Sequence, residues 1–449
     1  MKTAIGIFAL LVMMASHADA FPVGERLTLK NAITMALENN HLVKAAGFGA
    51  KAAQQGADIA GSRYYPGLFF EEALAASNSP TQTFMMKLDE GRFNQDDFLI
   101  NNLNHPGTWH DFKTALTLRQ PLYVPSISPA REMAGKEAEI EGLRADGTRQ
   151  DVSFLVFRLF LDVRKSGAQL KAAEQAVAEA REHMRLAEVH RQAGTGLRSD
   201  ELRARTNLSL AQQQVITALN DLTLAKMRLA ITIGLEEWQH LEISEEPSPA
   251  LTMGDVSVEL PKAALENRSD LKQSRAELER SDAAMKLARN AWFPTVDAFA
   301  SYQLNAKDTP FGNDNDSWMA GLNLRWEIFD GFRRNHERDR ASAQRSATAE
   351  MLESRSKEIL FQVRESLLRR EEMGKRLEVA RHALLDAEET VRLLGKRFEN
   401  SLATMAELLD AQTALNQARS NLVENEANYA LAGGRVYYSA GIFLKEMLK

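Results

Sequence analysis

The chain has 449 residues, a formal net charge of −6, 26% charged residues and no cysteine. The missing cysteines exclude a disulfide scaffold, a thiolate metal cluster and a lipid anchor carried on cysteine. Basic residues are interleaved with acids rather than clustered, so no nucleic-acid partner is expected.

Residues 1–20 combine Lys2, an apolar run from Ala4 to Met14 and Ala18-Asp19-Ala20. This is the pattern of a cleaved export signal that leaves Phe21 as the first mature residue, and the run is too short for a membrane anchor. A helix is expected from Thr28, a candidate cap, to Arg63, ending where Tyr65-Pro66 removes a backbone donor. Strands are expected at 68–76 and 110–120. Residues 77–109 between them are rich in Asn, Asp, Pro and Gly and read as a loop, with one short helix near Thr83–Leu88. A helical tract from Pro129 to Arg191 follows. At the rise of an α-helix it would be about 95 Å long, more than an ordinary globular core needs. The turn Ala193-Gly194-Thr195-Gly196-Leu197 leads to a return helix from Ser199, its candidate cap, to Ile233. A polar linker, 236–256, follows.

The same series then starts again. A helix near Glu259–Asn290 breaks at Phe293-Pro294, strands follow at 295–305 and 317–329, a second long helix covers Arg333–Phe398, and a return helix covers Met405–Leu431. Leu37-Glu38-Asn39 recurs as Leu265-Glu266-Asn267, and Tyr65-Pro66 as Phe293-Pro294, both 228 residues on. Leu116-Thr117-Leu118-Arg119 recurs as Leu322-Asn323-Leu324-Arg325, and Asp200-Glu201-Leu202 as Ala406-Glu407-Leu408, both 206 on. The chain therefore divides into a first repeat at 21–235, a second at 257–435 and a C-terminal segment at 436–449, with the extra residues of the first copy in its strand connection.

The strands alternate. Ala320, Leu322, Leu324, Trp326 and Ile328 are apolar, while Gly321, Asn323, Arg325 and Glu327 are small or polar; Phe112, Thr114, Leu116 and Leu118 likewise stand against Lys113, Ala115, Thr117 and Arg119. Such alternation fits a barrel wall with lipid outside and water inside, and equally a half-buried soluble sheet. Four strands cannot close a useful pore, so a barrel would need strands from several copies to leave no open edge.

With two long hairpins, two strand pairs and two turn motifs, the chain from about Leu27 to Tyr437-Tyr438 resembles the TolC-like outer-membrane efflux protein family. The resemblance implies an α+β membrane protein: a trimeric β-barrel with four strands per subunit, twelve in all, continued by a long α-helical barrel in the periplasm. It places the chain in the outer membrane of a Gram-negative bacterium. The partners it implies are outer-membrane lipid, a periplasmic adaptor and an inner-membrane pump or ABC exporter. By the same resemblance, Glu407 and Asp410 would form acidic rings at the pore constriction. Their i,i+3 spacing puts both carboxylates on one helix face. Adaptor contacts would fall on the turns Ala193, Gly194, Thr195, Gly196, Leu197 and Asn400, Ser401, Leu402, Ala403. Ser401 stands where the family usually has glycine. Asp200 matches the acid of the family's tip lock, but Phe398 replaces its tyrosine and Ala403 its basic residue, so the closing contacts would fall to Asp200, Arg198 and Phe398 in some other combination.

No catalytic pattern competes. His105 and His110, and His183 and His190, lack the spacing a metal demands, and the chain has no GxxxxGK, HExxH or GxSxG sequence. No cofactor or metal is expected, and the function read from the chain is passive conduction in efflux or type I secretion rather than enzymology. The alternative is an exported structural or adhesion protein that uses its helices as spacers.

Overall fold

A computed structural model describes residues 26–236, 239, 241–244 and 259–448. The export signal at 1–20, Phe21 and most of the linker lie outside the described residues. The first copy begins with α1 (Leu29–Asn39), α2 (His41–Ser62) and β1 (Gly67–Ser77). Next come α3 (Pro80–Asp89), a 3-10 turn (Gln95–Phe98), α4 (Ile100–Asn104) and β2 (Trp109–Tyr123). Helices α5 (Ile127–Gln192) and α6 (Arg198–Ile233) complete it. The second copy contains α7 (Leu260–Asn267), α8 (Ser269–Asn290), β3 (Thr295–Ala306), β4 (Asn315–Arg325), α9 (Arg333–Glu399) and α10 (Met405–Ser439), with α11 (Phe443–Met447) after it.

The first helix of each copy is broken where one continuous helix was expected. Asn40 is extended (φ −63°, ψ 128°), its Oδ1 accepts from the Leu42 N–H at 2.9 Å, and its Nδ2 donates to the Thr232 carbonyl at 2.9 Å. The second copy breaks at the corresponding Arg268, also extended (φ −62°, ψ 124°). Thr28 does cap α1, accepting from the Asn31 N–H at 3.2 Å. The fourth strand stops at Arg325 rather than Phe329, where Trp326 Nε1 turns to the Trp292 carbonyl at 3.2 Å. Buried Arg334 pairs with Asp330 at 2.7 Å just beyond. The last return helix runs eight residues past Leu431, to Ser439.

The chain forms two compact units that cut across the repeats. One comprises the described parts of Met1–Ala45, Asp146–Arg268 and Glu358–Lys449; the other comprises Ala46–Ala145 and Ser269–Lys357. Each copy contributes to both, so the repeat boundaries are boundaries of sequence and not of compact structure.

The second of these units holds an antiparallel sheet of order β1-β2-β3-β4. Its register sets Leu68, Phe70 and Leu74 opposite Leu118, Leu116 and Phe112, and carries the same face on to Ala300, Tyr302, Ala320 and Trp318. Arg119, Thr117 and Lys113 lie on the other face with Ser301, Asn305 and Gly321. The apolar face is uncovered among the described residues, with Leu322 70% and Trp318 78% exposed, whereas Asp111, Ala115 and Asn305 on the other face are buried. Among the described residues the outer edges of β1 and β4 have no strand beside them. The extra residues of the first copy fold against this sheet. Trp109 Nε1 donates to Glu90 at 2.9 Å, and Arg92 reaches Asp314 at 2.9 Å.

The other unit has a continuous apolar core of Ile33, Ala36, Val156, Phe157, Phe160, Leu229, Ile233 and Phe443. A Cβ on Gly434 would stand 2.2 Å from the Phe157 ring, so glycine is what lets α10 approach α5 there. Burying one such phenylalanine stabilises by about 1.5–3 kcal/mol.

Candidate functional site: the two helical tips

The turns at the ends of the two long hairpins have the same backbone. In the first, the Gly194 N–H bonds the Arg191 carbonyl at 3.1 Å and the Thr195 N–H bonds the His190 carbonyl at 3.0 Å. In the second, the Ser401 N–H bonds the Phe398 carbonyl at 2.9 Å and the Leu402 N–H bonds the Arg397 carbonyl at 2.7 Å. This paired pattern closes a helix around one left-handed residue. That residue is Gly194 (φ +77°) in one turn and Ser401 (φ +56°) in the other.

These bonds, and the following helix starts at Arg198 and Met405, put the copies 207 residues apart at the tips, one more than the sequence match of 206. The extra residue lies in the long helix, since α5 has 66 residues and α9 has 67. Asp200 therefore corresponds to Glu407, Glu201 to Leu408 and Arg191 to Phe398. In the first tip Glu201 is only 3% exposed and lies under Arg191, Arg198 and Arg205, at 2.5, 2.6 and 3.0 Å. The Arg191 contact lacks the alignment of a hydrogen bond. Burial alone would raise the Glu201 pKa, but the hydrogen bond from Arg198 and the charges of Arg198, Arg191 and Arg205 outweigh it and hold the carboxyl below its ordinary value. In the second tip the same positions are apolar: Phe398 and Leu408, the latter 1% exposed, pack with Met405, Ala187 and Ala204.

The expected cap Ser199 is not one. The residue before α6 is Leu197, which offers no side-chain bond, whereas Thr404 and Glu407 form a reciprocal capping box on α10. Threonine followed three residues later by glutamate is a sequence signature of that motif, so this cap was readable. Glu407 accepts from the Thr404 N–H at 2.7 Å and its hydroxyl at 2.9 Å. The backbone bond, then the hydroxyl bond, lower its pKa against a smaller effect of burial. Asp410 is exposed on the same helix and forms no ion pair among the described residues.

Arg198 is engaged with Glu201, and the Asp200 carboxylate has no hydrogen-bond partner among the described residues. The Phe398 ring meets His190 of α5, centroids 5.1 Å apart. Ala193, Gly194, Thr195, Leu197, Asn400, Ser401 and Leu402 are exposed, Gly196 and Ala403 half-buried. Leu197 and Leu402 are each 67% exposed, so each turn ends in a bare apolar side chain. A polar clamp that the sequence reading missed joins α5 to α10. Glu179 accepts from Arg419 at 2.9 Å and from Gln412 Nε2 at 2.6 Å, and His183 Nε2 lies 3.2 Å from Gln412 Oε1.

The model of the family described as outer membrane efflux protein matches residues 32–235 and 260–441. The chain belongs to the outer membrane efflux protein family. That family is one of outer-membrane channels rather than enzymes, and it places this chain in the outer membrane. Nodulation protein T of Rhizobium leguminosarum bv. trifolii is 21% identical over 311 residues, 67% of this chain and 65% of that protein. The pyoverdine export outer membrane protein OpmQ of Pseudomonas aeruginosa is 29% identical over 223 residues, 49% of this chain and 45% of its own length. The matched stretches thus span less than two thirds of these relatives. The crystal structure of outer membrane protein VceC from Vibrio cholerae has the same fold, with a TM-score of 0.76 at 17% identity over 92% of this chain and 96% of that one. Among the described residues no helix is long and apolar enough to cross a membrane.

Proposed function

We propose that the chain is the outer-membrane conduit of a tripartite efflux or type I secretion system. Three copies close their sheets into one twelve-stranded barrel, and an adaptor and an energised inner-membrane pump deliver the substrate. The observation that carries this reading is the four-stranded sheet itself, with an exposed apolar face and two unpaired edges. In a membrane each unpaired backbone group costs several kcal/mol, about the strength that makes closed barrels the only spanning sheets. Nothing favours the spacer or adhesion alternative. Purified protein should run as a heat-resistant trimer in detergent and conduct ions in planar bilayers; a water-soluble monomer without conductance would overturn the assignment.

The tips are the gate in this reading. Glu407 and Asp410, three of each, form the acidic constriction, and the exposed turns with Leu197 and Leu402 receive the adaptor. The place of the family's polar tip lock is taken by the apolar Phe398–Leu408 pair and by the Glu179–Gln412–Arg419 clamp. Glu407→Gln with Asp410→Asn should lower cation selectivity and weaken block by multivalent cations in single-channel recordings, with the barrel intact. Glutamine still serves a capping box, so the tip keeps its shape. Reversal potential and block unchanged from wild type would remove Glu407 and Asp410 from the constriction.

A further inference from the structure

We propose that a cavity between α9 and α10 binds a compact oxyanion, a phosphate or carboxylate group, at a site separate from the tips. The cavity has a volume of about 140 Å³ and lies at the α7–α8 break, where Arg268, Arg369 and Arg435 converge. Glu365 is the single acid in its lining, while Glu372, paired with Arg369, and Asp151, bonded to Tyr438, stand beside it.

The arginines are positioned by rigid neighbours. Arg268 donates to Gln362 Oε1 at 2.7 Å and to the Ser439 carbonyl at 3.3 Å. Its backbone is held by Gly441 (φ +71°), where a Cβ would come within 2.9 Å of the Arg268 nitrogen. Arg435 lies over the rings of Phe154 and Tyr438, 5.7 and 5.3 Å from their centroids, and meets no carboxylate among the described residues. Arg369 is the partly neutralised member, 3.1 Å from Glu372 and 3.9 Å from Glu365.

The hydroxyl groups of the lining are already committed. The Ser366 and Ser439 hydroxyls share a hydrogen bond at 2.8 Å whose acceptor donates in turn to its own helix carbonyl, Val363 or Val436, and the Tyr438 hydroxyl donates to Asp151. What remains to face the cavity are guanidinium N–H groups, which have no acceptor capacity. A ligand that only accepts, in a planar or tetrahedral array of oxygens, matches them. A neutral donor ligand would find Glu365 alone, and a cation would meet three like charges.

The test uses the full chain in detergent and inorganic phosphate, titrated by calorimetry at constant ionic strength with chloride as the reference. Saturable phosphate binding is expected, accompanied by a higher unfolding temperature. Arg435→Gln should weaken it by about tenfold, the equivalent of one charge-assisted hydrogen bond, and Arg435→Lys by less. Acetate in place of phosphate reports whether a free carboxylate shares the site. Absence of saturable binding by either anion, or affinity unchanged in both Arg435→Gln and Arg369→Gln, would overturn the proposal. Weakened trimers in Arg435→Gln with no anion binding to the wild type would do so too, by assigning the arginines to an acid on a second copy. Because the readout is binding, a failure here leaves the channel reading standing, and a failed conductance test leaves this one standing.

Discussion

The two tips share a turn but bury opposite chemistry. At equivalent positions, one places Arg191 against Glu201 and the other Phe398 against Leu408. The pair of backbone bonds that closes each long helix is the same in both. A hairpin turn of this geometry therefore leaves the buried pair free to vary, and the choice sets what kind of stability the tip has. Charges beneath arginines give a directional, acid-sensitive contact. Apolar packing gives one with no charge of its own to titrate or screen. The apolar version belongs to the tip that also carries Glu407 and Asp410, where another strong ion pair would compete for the carboxylates.

Exchanging the buried residues should break the comparison most severely. Leu408→Glu puts an unpaired carboxylate against Phe398 and Met405 and should destabilise the second tip by about 3 kcal/mol or more. Glu201→Leu should open the first tip by leaving three guanidinium groups clustered without their acid, and adding Arg191→Phe should restore part of the loss. Hydrogen exchange resolved to each hairpin reads both effects. Equal protection in Glu201→Leu with and without Arg191→Phe would show that the two positions do not act as a pair.

The left-handed residue gives a smaller, reciprocal effect. Gly194 has open space where a Cβ would sit, so Gly194→Ser meets only backbone strain and should cost about 1 kcal/mol. Ser401→Gly should relieve the same strain, less the entropy glycine adds to the unfolded chain, for a net gain of up to about 1 kcal/mol. Opposite shifts in the proteolysis rates of the two turns are expected; shifts of the same sign would mean the turns are not equivalent.

The caps come next. Thr404→Ala should cost about 1 kcal/mol at the start of α10. Leu197→Thr would place threonine three residues before Asp200 and should gain about half as much at the start of α6, narrowing the difference between the tips. Helix-terminal exchange rates are the measure, and no gain from Leu197→Thr would mean that the first tip's start is held by the arginine cluster instead.

Much of this molecule was legible because it is periodic. The 228-residue spacing of Leu37 and Leu265 carries into α2 and α8, which both have 22 residues and start at His41 and Ser269. The alternation of Leu116 and Leu118 with Thr117 and Arg119 returns as the two faces of the sheet. What escaped depends on contacts distant in sequence. The break at Asn40 needs Thr232, 192 residues away, and the clamp joins Glu179 to Gln412 across 233. The shift to 207 at the tips escaped because Glu201-Leu202 aligns by identity with Glu407-Leu408. That match hid the fact that Glu201 points inward and Glu407 outward.

Acid should separate the tips with the mildest perturbation of all. Glu201 and Glu407 both have pKa values below the ordinary 4.5 in the folded chain. A carboxyl depressed on folding binds fewer protons in the native state, so its contribution is complete above the unfolded value and disappears as pH falls through the lower, folded one. Between pH 7 and about 5 neither carboxyl should contribute a change, because both are ionised in the folded and unfolded chain alike. Below about pH 4.5 the first tip should loosen as Glu201 takes up a proton beneath its arginines. The second should lose only the Glu407 half of its cap while Phe398 and Leu408 stay packed. Glu201→Gln should abolish the pH response of the first tip alone, and Glu407→Gln the slight fraying at the start of α10. Hydrogen exchange between pH 6 and 3, corrected for intrinsic rates, measures both. If the second tip loosens first, Glu407 rather than the apolar pair holds it shut, and the acidic residues assigned to the constriction also close it.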